Sequence, residues 1–232
     1  MKGTIENRDS FLRNIAKKLH HEPGENVALP EWNNQPQWDV YKGYSRDQLV
    51  EVMKKACESV HTRVYETDSE HLADCLEQVI VAYGAGSIVA TNDKRFSDFG
   101  LESVLKKNQV YTWNISEGHK NIERAAQANI GLSICDIMLA ESATAGLFHD
   151  KDKARSVSLL PVTSIVIVPE SLIVPRITQA MQKVEEKVKA GEAISTYINF
   201  ISGPSNSADI EMRLVVGVHG PVKVAYIIVR DK

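Results

Sequence analysis

The sequence predicts an α/β protein: a mainly parallel sheet flanked by helices, with a mixed or antiparallel insertion. Two patterns lead there. From Ser45 to about residue 129, short apolar runs alternate with helix-like segments, which implies crossover connections and parallel strands. After Glu141 the strand-like runs follow too closely for helices to intervene, an antiparallel habit. The 232 residues, 43% apolar and 25% charged, are enough for a full-sized core.

Taken in order, Phe11, Leu12, Ile15 and Leu19 recur at helical spacing and predict an amphipathic helix over 8–20. Residues 21–44 then lose all period and hold three prolines, two glycines, Trp32, Trp38, Tyr41 and Tyr44. They read as an ordered aromatic arm that packs on this chain's own core or clasps a second subunit. The sequence therefore divides into an N-terminal helix and arm, 1–44, and an α/β domain, 45–232. Ser45 and Gln48 have capping-box spacing and open a helix through about Ser59. Strands are expected at 62–66, 87–90 and 109–113, with helices at 69–83, 95–107 and 119–129 between and after them. Gly84-Ala85-Gly86 reads as a helix stop. Residues 132–140, LSICDIMLA, read as one buried strand, followed by strands at 145–149, 156–160 and 164–168. Pro175 is placed as the first residue of a helix reaching Lys189, with Gly191 as its stop. A strand at 196–201, a polar turn with a short helix, and a strand at 223–229 complete the chain.

The net charge of −3 argues against a nucleic-acid surface, which needs clustered Lys and Arg. The polar start, MKGTIENRDSFLRN, carries no signal-peptide pattern, and no apolar run is long enough to span a bilayer. Cys57, Cys75 and Cys135 are widely spaced and form no CxxC or Cys/His cluster, so neither a metal site nor a cofactor of the chain's own is expected. They read as reduced thiols in a cytoplasmic protein.

The informative stretch is 201–221, ISGPSNSADIEMRLVVGVHGP. An apolar strand runs into Ser202-Gly203-Pro204-Ser205, and Asn206 and Asp209 have the spacing of a helix cap. A glycine turn ahead of a helix start would offer backbone N–H groups and a helix dipole to a carboxylate or phosphate. The hydroxyls of Ser202, Ser205 and Ser207 would add donors. Asp209 and Glu211 would cap, bind a ligand hydroxyl or brace the loop. His219, between two glycines, has the loop setting of a general acid or base, or of a turn residue. Glu141 and Thr144, in AESAT after the buried strand, sit where a catalytic carboxylate and a ligand hydroxyl could lie, at a strand's carboxyl end. Glu141 could equally pair with Arg155 or Arg213, and Asp136 is expected to satisfy local hydrogen bonds.

AESAT, SLLPVTSIVIV, SGPSNSADIE and GVHGP, in this order and approximate spacing over roughly residues 45–230, resemble the lactate-utilisation protein C family, whose core is the LUD domain. Two departures stand out. Ser142-Ala143 replaces the Thr-Gly of the family's AETGT-like stretch, and Asn206-Ser207 replaces a basic residue and threonine in GPSRTADIE. The resemblance implies a fold similar to the sugar-phosphate isomerase, CoA-transferase and formyltetrahydrofolate cyclo-ligase group. It also implies a role in oxidising L-lactate to pyruvate beside iron–sulfur cluster proteins.

Three roles follow. The chain would be a non-redox subunit of such a system, binding a small anionic metabolite. Alternatively it would be an isomerase- or acyl-transferase-type enzyme using Glu141 and His219, or a metabolite sensor whose aromatic arm signals occupancy or joins a homo-oligomer.

Overall fold

The computed structural model describes residues 5–26, 28, 30–209 and 212–231. Two compact units emerge, residues 1–36 and 37–232. In the first, α1 (Arg8–Leu19) forms where the apolar spacing predicts it, and its stripe Phe11, Leu12, Ile15 and Leu19 is exposed. Residues 37–44, assigned to the arm by sequence, belong to the second unit. There Tyr41 packs against the cluster containing Leu49 and Met53 and meets the Tyr44 ring edge-on. Trp32 remains exposed.

In the second unit the capping box forms: Gln48 N donates to Ser45 Oγ and Ser45 N to Gln48 Oε1, opening α2 (Arg46–Ser59). Next come β1 (Arg63–Asp68), α3 (Leu72–Ala82) and β2 (Ile88–Ala90). The helix expected at 95–107 is two, α4 (Arg95–Asp98) and α5 (Glu102–Lys107), because Gly100 turns left-handed between them at φ +68°. Then follow β3 (Tyr111–Thr112) and α6 (Lys120–Gln127).

The apolar run predicted as one strand is two, β4 (Ile130–Ile134) and β5 (Ile137–Leu139), in different sheets. Cys135 N still donates to Ile167 O of the central sheet, whereas Asp136 N donates to Gly146 O of the second. The crossing falls at Asp136, the one charged residue in an otherwise mostly apolar run whose two halves are both buried. After β6 (Thr144–His149), the strand expected at 156–160 is instead a short helix, α7 (Ser156–Leu159). It lies so close to β4 that a Cβ on Gly131 would stand 1.9 Å from Val157 O. β7 (Thr163–Pro169), β8 (Ile173–Val174), α8 (Ile177–Lys189) and β9 (Tyr197–Ser202) complete this part. Pro175 lies ahead of α8, whose N-cap is Arg176, rather than at its first position. The helix expected after Asn206 is absent among the described residues. β10 (Asn206–Ser207) pairs antiparallel with β11 (Val215–Val216) before β12 (Lys223–Arg230).

The central sheet is six-stranded and wholly parallel, in the order β1-β12-β7-β4-β2-β3. Alternation within its strands sends Ile165, Ile167, Ala225 and Ile227 to the face covered by α3 to α5. Val166, Val168, Tyr226 and Ile228 point to the opposite face, against α2 and the second sheet. Each such fully buried branched side chain contributes about 1.5–3 kcal/mol of burial. The expected insertion is the second sheet, four-stranded in the order β8-β5-β6-β9, antiparallel except at β5 and β8.

Candidate functional site

The end of β9 and the turn after β5 meet through strand register. Thr144 pairs with Ser202 across β6 and β9, and Ser202 Oγ donates to Ser142 O at 2.8 Å. Behind them, the buried Tyr226 hydroxyl donates to Ala143 O at 3.0 Å and approaches Ile201 O at 3.3 Å, tying both segments to β12. Burial pushes its phenol upward, which keeps it a donor. Ala143 is fully buried with φ +47°, a left-handed position where glycine meets no steric cost. That geometry suits the glycine which the sequence resemblance leads one to expect at this position.

Beyond Ser202, Gly203 (φ +66°) presses on α2's end: a Cβ there would stand 2.4 Å from Val60 O. Ser205 N donates to Pro221 O at 2.9 Å, His219 N donates to Ser205 Oγ at 3.2 Å, and Gly217 N donates to Ser205 O at 2.8 Å. The two polar segments thus lie side by side and border a hollow of about 320 Å³. Ser202, Gly203, Ser205, Asn206 and His219 line it together with Ser158 and Ser164.

Other predicted residues lie elsewhere. Thr144 is buried, its hydroxyl 2.7 Å from Ser142 Oγ. Asp209 and Ser207 bond each other beside β10, with Ser207 Oγ donating to the carboxylate at 3.1 Å. Glu211 lies outside the described residues. The cap pair Asn206/Asp209 does not form: Asn206 Nδ2 donates to Pro204 O, and polar residues at cap spacing serve turns equally well. Among the described residues, no helix starting near Asn206 supplies the dipole expected there. Glu141 is not among the lining residues; it accepts from Arg176 Nε at 2.6 Å, not from Arg155 or Arg213. Arg155 instead sits over the Tyr197 ring. Among the described residues the hollow has no lysine or arginine in its lining, so hydroxyls, backbone and the His219 imidazole are what it offers a ligand.

Two further polar regions escape a reading by local motif. A hollow of about 640 Å³ at the carboxyl ends of β1 and β12 gathers Glu51, Glu66, Asp68 and Glu170 around His71 and Arg230. Asp68 and His71 bond at 2.7 Å, which lowers the carboxyl's pKa and raises the imidazole's. The second lies where the strand order reverses. β2 leads on to β3 at one edge while β4 leads to β7 in the other direction, and a parallel sheet opens a crevice between such strands. Here Arg95 bonds Asp93, Asp136 at 2.9 Å and the carbonyls of Ile134 and Cys135, while Lys153 meets Asp136 at 3.1 Å. Phe148 N also donates to Asp136, at 2.7 Å, so the carboxylate expected to satisfy local bonds takes its partners from 12 to 41 positions away. Burial would raise the Asp93 carboxyl's pKa, but the Arg95 bonds outweigh it and hold it low. The cysteines are unbridged, and burial raises all three thiols, Cys57 to about 12, which keeps them protonated and poorly nucleophilic.

Comparison with known proteins adds to this geometry. The LUD domain family model matches residues 50–229. Lactate utilization protein C of Bacillus subtilis (strain 168) is 49% identical over 238 residues, spanning 100% of this chain and 99% of that protein. The chain belongs to the LUD domain family, among its lactate utilization protein C members. Proteins of the same name from Macrococcus caseolyticus, 48% identical over 231 residues, and Geobacillus thermodenitrificans, 47% over 238, each cover 100% of this chain and have 99% of their own length covered. The crystal structure of a DUF162 family protein from Deinococcus radiodurans shares the fold, with a TM-score of 0.57 and 20% identity. It covers 80% of this chain and 99% of that one. No helix among the described residues is long and apolar enough to cross a membrane.

Proposed function

We propose that this chain takes part in L-lactate utilisation as a non-redox component, working in the cytoplasm beside iron–sulfur proteins that oxidise lactate to pyruvate. The observation that carries the reading is identity of 47–49% over essentially the whole length to proteins named lactate utilization protein C. Three thiols kept protonated by burial are consistent with electrons passing through partners. The hollow beneath residues 202–206 and His219 is the proposed seat of a small carboxylate or phosphate, held by serine hydroxyls rather than by a cation.

Deleting the gene in its native organism should abolish growth on L-lactate and leave growth on pyruvate intact. Undiminished growth on lactate overturns the role. Titrating the purified chain with L-lactate, pyruvate and inorganic phosphate by thermal shift tests the ligand. At least one should raise the melting temperature, and Ser205→Ala should remove that rise.

A further inference from the structure

The crevice where the strand order reverses contains more than ion pairs. Thr91, just after β2, Ser133 in β4 and His149 at the end of β6 are 5%, 3% and 8% exposed. Among the described residues, Thr91 Oγ1, Ser133 Oγ and His149 Nε2 have no hydrogen-bond partner. All three residues line one hollow with Asp136 and Lys153. Buried polar groups are almost always paired, and three orphans converging on one space point to an occupant.

The chemistry of the occupant follows from the imidazole. His149 Nδ1 lies 2.8 Å from Lys153 O, and a carbonyl only accepts, so Nδ1 carries the proton. Burial keeps the ring neutral, against smaller opposing contributions from the Lys153 carbonyl, Asp136 and the neighbouring Asn199 side chain. Nε2 is then a bare lone pair, facing a space where two hydroxyls can donate. Asn199 Oδ1 is a further unpaired acceptor, on the strand residue paired with Leu147 beside it. A carboxylate oxygen has no proton for Nε2, and an ammonium cannot accept from Thr91 or Ser133. A hydroxyl oxygen can do both. The hollow's volume, about 10 Å³, is the space of one such oxygen. The nearby charges are already matched, since Asp136 takes Lys153 and Arg95.

We propose that this crevice is a built site for a single hydroxyl oxygen, which donates to His149 Nε2 and accepts from Thr91 and Ser133. Two sources share that chemistry: an ordered water, or the alcohol of a small hydroxy acid admitted when residues 150–155 lift. That segment is tied across the crevice by Asn92 N to Asp152 O and Trp113 Nε1 to Lys151 O. The site adjoins the hollow at residues 202–206, with which it shares only Ser158 among the described lining residues, and does not rest on the role proposed above.

The test is the nitrogen NMR of the wild-type chain labelled at histidine, joined to a near-isosteric variant. The His149 Nε2 resonance should be that of an unprotonated, hydrogen-bonded nitrogen. Thr91→Val, which deletes a donor without changing shape, should lower the melting temperature by a few degrees. L-lactate shifting Nε2 while propionate does not assigns the alcohol; neither shifting it, with both expectations met, assigns water. An Nε2 resonance free of hydrogen bonding overturns the site. So does a Thr91→Val protein that melts at or above the wild type, since removing an orphaned hydroxyl stabilises a dry cavity.

Discussion

Replacing Asp136 by alanine tests how the crossing between the two sheets is held. The carboxylate accepts from Arg95 Nη2 at 2.9 Å, Lys153 Nζ at 3.1 Å and Phe148 N at 2.7 Å. Its side chain is 16% exposed, and those of Arg95 and Lys153 are 23% and 21% exposed. Alanine leaves Lys153 without its anion, Arg95 with Asp93 and the Ile134 and Cys135 carbonyls, and a backbone N–H without its acceptor. Removing one partner of a buried ion pair costs about 3–5 kcal/mol, because the uncompensated charge stays behind. For a chain of this size about 1 kcal/mol corresponds to roughly 2–4 °C, so the melting temperature should fall by roughly 6–20 °C. Calorimetry with a urea titration measures both quantities. Combining Asp136→Ala with Lys153→Met should recover part of the loss by removing the stranded ammonium. A single variant melting within about 2 °C of the wild type would refute the idea that this network fixes the crossing.

Other consequences follow from single residues. Gly203→Ala forces a side chain into φ +66° and against Val60 O, so it should destabilise by at least about 1–3 kcal/mol and displace the turn bordering the 320 Å³ hollow. Urea denaturation reads the first effect; loss of the ligand-induced thermal shift reads the second. His149 is held neutral in the folded protein, with its pKa below the usual 6.5. The unfolded chain therefore binds the proton more readily. The associated stability is complete above the unfolded pKa and drains away as pH falls from there through the folded pKa. His149→Gln should flatten this part of the stability profile between pH 7 and 5, and an unchanged slope in urea titrations would count against a buried neutral imidazole.

Much of the fold is legible in local chemistry. The Ser45/Gln48 capping box, the stripe of α1, the left-handed stops at Gly84 and Gly191, and the parallel core strands all follow from interactions within a few residues or from simple alternation. The family resemblance likewise rests on short motifs readable in order along the chain. The candidate site is legible in part: Ser202 to Asn206 and His219 do border one hollow, but the helix placed after Asn206 is a strand pair. Cap spacing arises in turns as readily as in helices, so it could not separate the two.

What tertiary structure alone decides involves residues remote in sequence. Arg95 and Asp136 are 41 positions apart, and their ion pair marks where one apolar run divides between two sheets. Glu141 finds Arg176, 35 positions away, rather than either arginine that sequence could nominate. Thr91 just after β2, Ser133 in β4 and His149 in β6 are remote in sequence, and only folding leaves their polar atoms facing one small space. Periodicity tells a residue which face it occupies; it holds no information about which distant partner waits there, because that partner is chosen by strand order and register.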